Sequence, residues 1–290
     1  MHNFRKYSLW FCMPAVLMTL VFAVYPVIHS FVLGFFSMDL HSGASGFAGL
    51  NNYIRIFSDE RALKALLNTF FFTVSSVSLE LVFGMALALI LHAKFRGRGL
   101  LRSSALIPWA VPTVVSAMLW RWIFNDRFGL INAVLIQLGL LNSPEAFLAS
   151  PWLAKAAIVA AEVWKTTPFI ALLLLAGMQM IPEELYESGK VDGAGPFQRF
   201  RLITLPMLKP VILISLLFRT MDALRIFDTV YVLTGGGPGN ATETISLYTY
   251  KKMFSHLDFG MGSALASSTF AVVAMVSAVY IMLLRRKSVE

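Results

Sequence analysis

Thiol chemistry is nearly absent from this sequence: a single cysteine, Cys12, lies inside the first apolar stretch. One thiol cannot close an internal disulfide or build a Cys-based metal cluster. Charge is scarce as well. Only 14% of the 290 residues are charged and 57% are hydrophobic, where an average soluble domain carries about a quarter charged residues. So much apolar surface exceeds what one soluble core can bury, and a lipid environment accounts for it. The histidines His2, His29, His41, His92 and His256 are scattered without metal-ligand spacing. No Ser-His-Asp or paired-carboxylate constellation suggests an enzyme. The run Gly235-Gly236-Gly237-Pro238-Gly239 lacks the Gly-Lys-Ser/Thr ending that sets a lysine on a phosphate, so it is not read as a phosphate loop.

The apolar residues that are present fall into long runs. A helix needs about 20 of them to cross the hydrocarbon core. Leu9–Phe35, Asn68–His92, Ser103–Phe124, Leu153–Met180, Val211–Val232 and Gly262–Leu284 qualify, and predict six transmembrane helices in one domain covering residues 1–290. The first run is too long for a signal-peptide core and reads as a retained span. Pro14, Pro26, Pro108, Pro112 and Pro168 inside these runs predict kinks or unwinding. The net charge of +8 reads as basic loops on one side of a membrane rather than affinity for nucleic acid. Arg5, Lys6, Lys94, Arg96, Arg98, Arg102, Lys190, Arg199, Arg201, Lys209, Arg285, Arg286 and Lys287 share that side, which puts both termini in the cytoplasm.

The connection between the fourth and fifth spans, 181–208, is strongly patterned. Pro182 with Glu183 and Glu184 opens a helix, negative charge on the positive dipole end. Asp192-Gly193-Ala194-Gly195 breaks it, and Pro196 opens a second helix with Phe197, Phe200 and Ile203 on an apolar face. The expected result is a short helix–turn–helix flat beneath the membrane. The segment resembles the Glu-Ala-Ala loop of the membrane subunits of binding-protein-dependent ABC importers, with Glu187, Asp192, Gly193, Ala194, Ile203, Leu205 and Pro206 in register. Ser188 and Gly189 stand where that family usually has two alanines. By this resemblance the chain is an all-α membrane protein with the type I ABC importer permease fold. Glu187, Ser188, Gly189, Asp192, Gly193 and Ala194 then couple it to an ATPase, with Glu187 meeting a basic group on that partner.

A second stretch, Phe227-Asp228 through Leu233-Thr234-Gly235-Gly236-Gly237-Pro238 and on to Tyr248, Tyr250 and Phe254, is similar to the maltose-type and glycerol-phosphate-type permeases. Pro26, Ser30, Phe31 and Gly49-Leu50-Asn51-Asn52-Tyr53 extend the likeness. It implies import of a sugar or glycoside across the bacterial inner membrane. It also implies a second related permease, two ATPase subunits holding ATP and Mg, and a periplasmic or lipid-anchored sugar-binding protein. No cofactor is expected in this chain.

Ionisable residues at span depth usually face a bundle interior or a wet cavity. Glu162 and Lys165 are three apart and able to pair. Arg219, Asp222, Arg225 and Asp228 form a ladder of threes that curls around the fifth helix. Trp164, Lys165, Arg225, Asp228 and Tyr231 are the expected substrate-pathway residues, combining aromatic faces with hydrogen-bonding groups. The plainer reading is that such charges lock helices together, and Glu80 is assigned to a helix–helix contact. A secondary transporter or channel is the rival function, but it leaves the Glu187–Pro206 pattern unexplained.

Overall fold

The computed structural model describes residues 2–40, 43–93 and 95–286; Lys94, Lys287 and His41 lie outside the described residues. Helix α1 (His2–Thr19) runs through a π-helical turn, Leu20–Val24, into α2 (Tyr25–Leu33). A hairpin of β1 (Phe36–Asp39) and β2 (Ala44–Phe47) leads to α3 (Asn51–Ser58). Then come α4 (Glu60–His92), α5 (Arg98–Ala110), α6 (Thr113–Ile123), α7 (Leu130–Gln137) and α8 (Pro151–Gln179). Next are α9 (Glu183–Val191), α10 (Pro196–Arg199), a π-helical turn at Phe200–Thr204, α11 (Leu205–Ala223) and α12 (Asp228–Leu233). Helix α13 (Ile245–Tyr250) and a further π-helical turn precede α14 (Phe259–Arg286).

Among the described residues, five helices are long and apolar enough to cross a membrane: Phe11–Leu33, Glu60–His92, Pro151–Gln179, Pro196–Ala223 and Phe259–Arg285. A sixth is reached if α5 and α6, bent by 93° at their junction, form one broken span. Pro112 explains the break: it lacks an amide hydrogen and pushes Val111 to an extended ψ of 131°. The expected fifth span needs a larger correction. Its helix begins fifteen residues earlier than Val211, at Pro196, and ends at Ala223, so residues up to Val232 do not continue it. Leu224–Phe227 form a break, and Asp228 starts the separate α12. The charge ladder therefore does not climb one helix.

The chain divides into two compact units, Met1–Leu63 with Tyr248–Val272, and Lys64–Leu247 with Val273–Glu290. In the first, the hairpin pairs Phe36 with Phe47, whose rings meet edge-on at 5.5 Å. Buried Asn52 donates its amide hydrogens to the Gly34 and Phe36 carbonyls at 3.0 and 2.9 Å, pinning the end of α2 to the hairpin. Asp59 caps α4 by accepting the Arg61 and Ala62 amides. It also accepts the Tyr248 hydroxyl. Partial burial alone would raise its pKa, but these hydrogen bonds and the Lys252 ammonium hold the carboxyl below its ordinary value. Arg61 and Lys252 each lie 5.3 Å from the centre of the Tyr248 ring.

The second unit is organised around α8. Pro151 occupies its first turn, where the missing amide hydrogen is harmless. Fifteen of its residues are buried, so this helix is surrounded by protein where Phe11–Leu33 has none of its length buried. Ile170, Leu174 and Met178 of α8 pack with Ala88 and Leu91 of α4 and Leu208 of α11. Small residues permit the close approach: a Cβ on Gly84 would lie 2.7 Å from Ile170, and one on Gly177 2.8 Å from Leu208.

Candidate functional site

The patterned loop packs against this core through Tyr186 and Ile203. Glu183 and Glu184 occupy the first turn of α9 and Lys190 the last, each sign matched to the helix dipole. The helix stops as its residues dictate. Gly193 adopts a left-handed φ of 77°, its amide bonds back to Lys190, and the Ala194 amide reaches the Gly189 carbonyl at 2.8 Å. These two bonds are the Schellman closure of a helix C-terminus. Gly195 begins the second arm, and the Gln198 side chain accepts its amide at 2.8 Å. The expected helix–turn–helix forms, but its second arm is not short: α10 continues through the π-helical turn into α11 as one 28-residue helix, Pro196–Ala223.

Two contacts fix the arms together. The Tyr186 hydroxyl meets the Thr204 hydroxyl at 2.9 Å. Gly189 faces Ile203 and Arg199, and a Cβ there would come within 3.2 Å of the Ile203 side chain. The departure from alanine at this position thus has a packing reason. Glu187 and Ser188 lie on the exposed side of α9, with Asp192 and Gly193 exposed at its end and Ala194 half-buried. No ion pair or hydrogen bond occupies the Glu187 carboxylate among the described residues. Glu187 also lines a cleft of about 710 Å³ together with Arg98, Arg102, Lys190 and Arg199.

Deeper in the unit, α4, α8 and α11 share a buried polar node. Glu80, fully buried, accepts Arg219 Nε at 2.7 Å and Nη2 at 3.0 Å. The Thr166 hydroxyl donates to the same carboxylate at 2.6 Å. The opposite charges neutralise one another where neither could stay unpaired. This is the helix–helix role expected of Glu80; the sequence does not single out its partners Arg219 and Thr166, because no local spacing links residues 139 and 86 positions apart. Glu162 does not pair with Lys165 as its spacing allowed: its close partner is the Thr229 hydroxyl of α12. That bond ties α8 to the element beyond the break.

The expected pathway residues lie on α8, in the break after α11 and on α12. Trp164 sits edge-on to Trp120 at 5.9 Å and lines an apolar groove with Phe71, Phe83 and Trp152. Lys165, the next residue of α8, is half-buried. Arg225 lies in the break after α11, exposed and paired with Asp222 at 3.2 Å. Asp228, also exposed, opens α12. Tyr231 stacks on Phe227 with ring planes 14° apart. Beyond α12 the Gly-rich segment is tied down by its threonines. Thr242 donates to the Gly237 carbonyl at 2.7 Å, Thr244 donates to that of Ile226 at 3.0 Å, and Asn68 of α4 donates to that of Glu243 at 3.0 Å.

Known proteins share this architecture. A bacterial ABC transporter involved in the import of the acidic polysaccharide alginate matches with a TM-score of 0.85 over 98% of each chain, at 23% identity. The fold is that of a type I ABC importer permease. Over 96% of its length the chain is 46% identical to the trehalose/maltose transport system permease protein MalF of Thermococcus litoralis, covering 94% of that protein. It is 42% identical to the sulfoquinovosyl glycerol transport system permease protein SmoG of Agrobacterium fabrum, over 94% of this chain and 89% of that one. Residues 80–289 match the family described as binding-protein-dependent transport system inner membrane component. The chain belongs to that family: it is a multi-pass inner-membrane component of a binding-protein-dependent transport system.

Proposed function

We propose that the chain is one permease subunit of an ATP-driven importer that carries a sugar or glycoside from a binding protein into the cytoplasm by alternating access. The observation that carries this reading is near-full-length similarity to the trehalose/maltose and sulfoquinovosyl glycerol permeases. The whole chain serves as one membrane domain, with both termini and the α9–α10 loop on the cytoplasmic side, where the basic residues accumulate. Glu187, Ser188, Gly189, Asp192, Gly193 and Ala194 contact an ATPase subunit, which binds ATP and Mg. The unoccupied Glu187 carboxylate supports this, since an exposed acid midway along α9 is available to a basic partner. Two ATPase subunits, a second permease and a sugar-binding protein complete the assembly, because this chain encloses half a pathway. Lys165, Arg225, Asp228, Tyr231 and Trp164 contribute to that pathway with hydrogen-bonding groups and aromatic faces.

The test is affinity purification of the full chain from membranes, followed by reconstitution. Recovery of an ATPase and a second permease is expected, with ATP hydrolysis stimulated by the sugar-loaded binding protein. Glu187→Arg is expected to abolish that stimulation while the complex stays assembled. Normal stimulation in Glu187→Arg would remove the coupling role assigned to it. Failure of every sugar to stimulate, with the complex intact, would remove the substrate class.

A further inference from the structure

The cleft beside the coupling loop holds more positive charge than its own carboxylates satisfy. Arg98 and Arg102 of α5, Lys190 of α9 and Arg199 of α10 converge on it from three elements. Arg98, Lys190 and Arg199 have no carboxylate partner among the described residues, and Arg102 donates only to the Leu91 carbonyl at 3.2 Å. Two guanidinium atoms, Arg102 Nε and Arg199 Nε, are shielded from solvent and have no hydrogen-bond acceptor. Both side chains line the cleft, and no carboxylate of the described residues pairs with either charge, so an anion entering the cleft would meet uncompensated guanidinium groups. Glu183 and Glu187 also border the cleft, yet neither Nε atom is met by them.

We infer that this cleft binds a phosphate-bearing anion, and that its ligand is the headgroup of an anionic membrane phospholipid. Guanidinium groups offer paired donors matched to phosphate oxygens. Basic pockets between the ends of membrane helices are where anionic headgroups are held. The cleft lies at the C-terminal end of α4, a span, and the start of α5. Its remaining wall favours a lipid over a free ion. Leu89, Met178, Ile181 and Phe200 line the same space, giving the glycerol and first methylenes of an acyl chain an apolar surface while the phosphate meets the arginines. The inference does not depend on what the transporter carries.

The experiment compares the full chain in nanodiscs of phosphatidylcholine with nanodiscs containing phosphatidylglycerol, and in detergent with added inorganic phosphate. Phosphatidylglycerol is expected to raise the Tm of the wild type by roughly 3–8 °C and to be retained in native mass spectra. Arg102→Gln and Arg199→Gln, tested separately, are each expected to lose most of that shift and retention. Equal Tm values for wild type and variant in phosphatidylcholine establish that the variant is folded, and Arg199→Lys, which keeps the charge, is expected to restore part of the effect. A shift reproduced by millimolar phosphate alone keeps the phosphate chemistry and overturns the lipid as its source. No difference between the two lipids, or an equal shift in both variants, overturns the site. Weakened ATPase recovery with unchanged lipid retention would overturn it in favour of an acidic protein partner.

Discussion

Arg219 and Glu80 carry a heavy constraint together, because three helices meet at the Glu80 carboxylate that the Arg219 guanidinium neutralises. Glu80 takes two of the guanidinium's hydrogen bonds, and Asp222 approaches at 3.5 Å from the exposed side. Removing one member of such a pair strands the other, at a cost of about 3–5 kcal/mol. Glu80→Ala is therefore expected to destabilise the detergent-solubilised protein by that order, measured by thermal unfolding. Glu80→Leu combined with Arg219→Leu is expected to recover most of the loss, since no buried charge is left unpaired. Asp59 makes a second prediction. Its pKa is lowered by the Tyr248 hydroxyl, the capped amides and Lys252, so its stabilising contribution is complete above its ordinary value of 3.8 and fades as pH falls below that. Asp59→Asn is expected to flatten the acid limb of a stability–pH curve that the wild type shows.

At the scale of elements, the loop between α8 and α11 was largely readable in advance, and the reasons are local. Pro182, the paired glutamates, Gly193 and Pro196 each act through backbone chemistry within a few residues, so their order predicts where a helix starts and stops. Gly189 was less legible. Its lack of a side chain matters because Ile203 and Arg199 press against it from the second arm, a contact across the turn that no propensity encodes. Gly189→Leu is expected to separate the arms and reduce binding-protein-stimulated ATP hydrolysis, with basal hydrolysis retained. Gly193→Ala is expected to cost about 1 kcal/mol, from the left-handed φ it imposes on a Cβ, with a smaller effect on stimulation. The extent of the fifth helix differs from the expected Val211–Val232 for a related reason. Apolar residues continue past Ala223 to Val232, and hydropathy cannot distinguish one helix from two short ones joined by a break. The partners Thr166, Thr229 and Arg219 are long-range choices, invisible to any local period.

At the scale of the molecule, Phe11–Leu33 has no buried residue and is exposed from Phe11 to His29, so most of its stabilising surroundings come from outside its own unit's core, whether lipid or a second subunit. Co-expression with a second permease is expected to increase the monodisperse yield of the chain and to raise its Tm above that of the chain purified alone; equal behaviour would argue that lipid suffices. The mechanical consequence of the long Pro196–Ala223 helix, π-helical turn included, concerns leverage. Its 28 residues at about 1.5 Å each make a rod of about 42 Å. The α9 arm touches it at Arg199, Ile203 and Thr204, all near one end. A tilt of roughly 5° imposed there sweeps the opposite end through about 4 Å on that length. A small displacement at the α9 contact would thus be a larger one at Ala223, and the four residues after it, which belong to no helix, separate that end from α12.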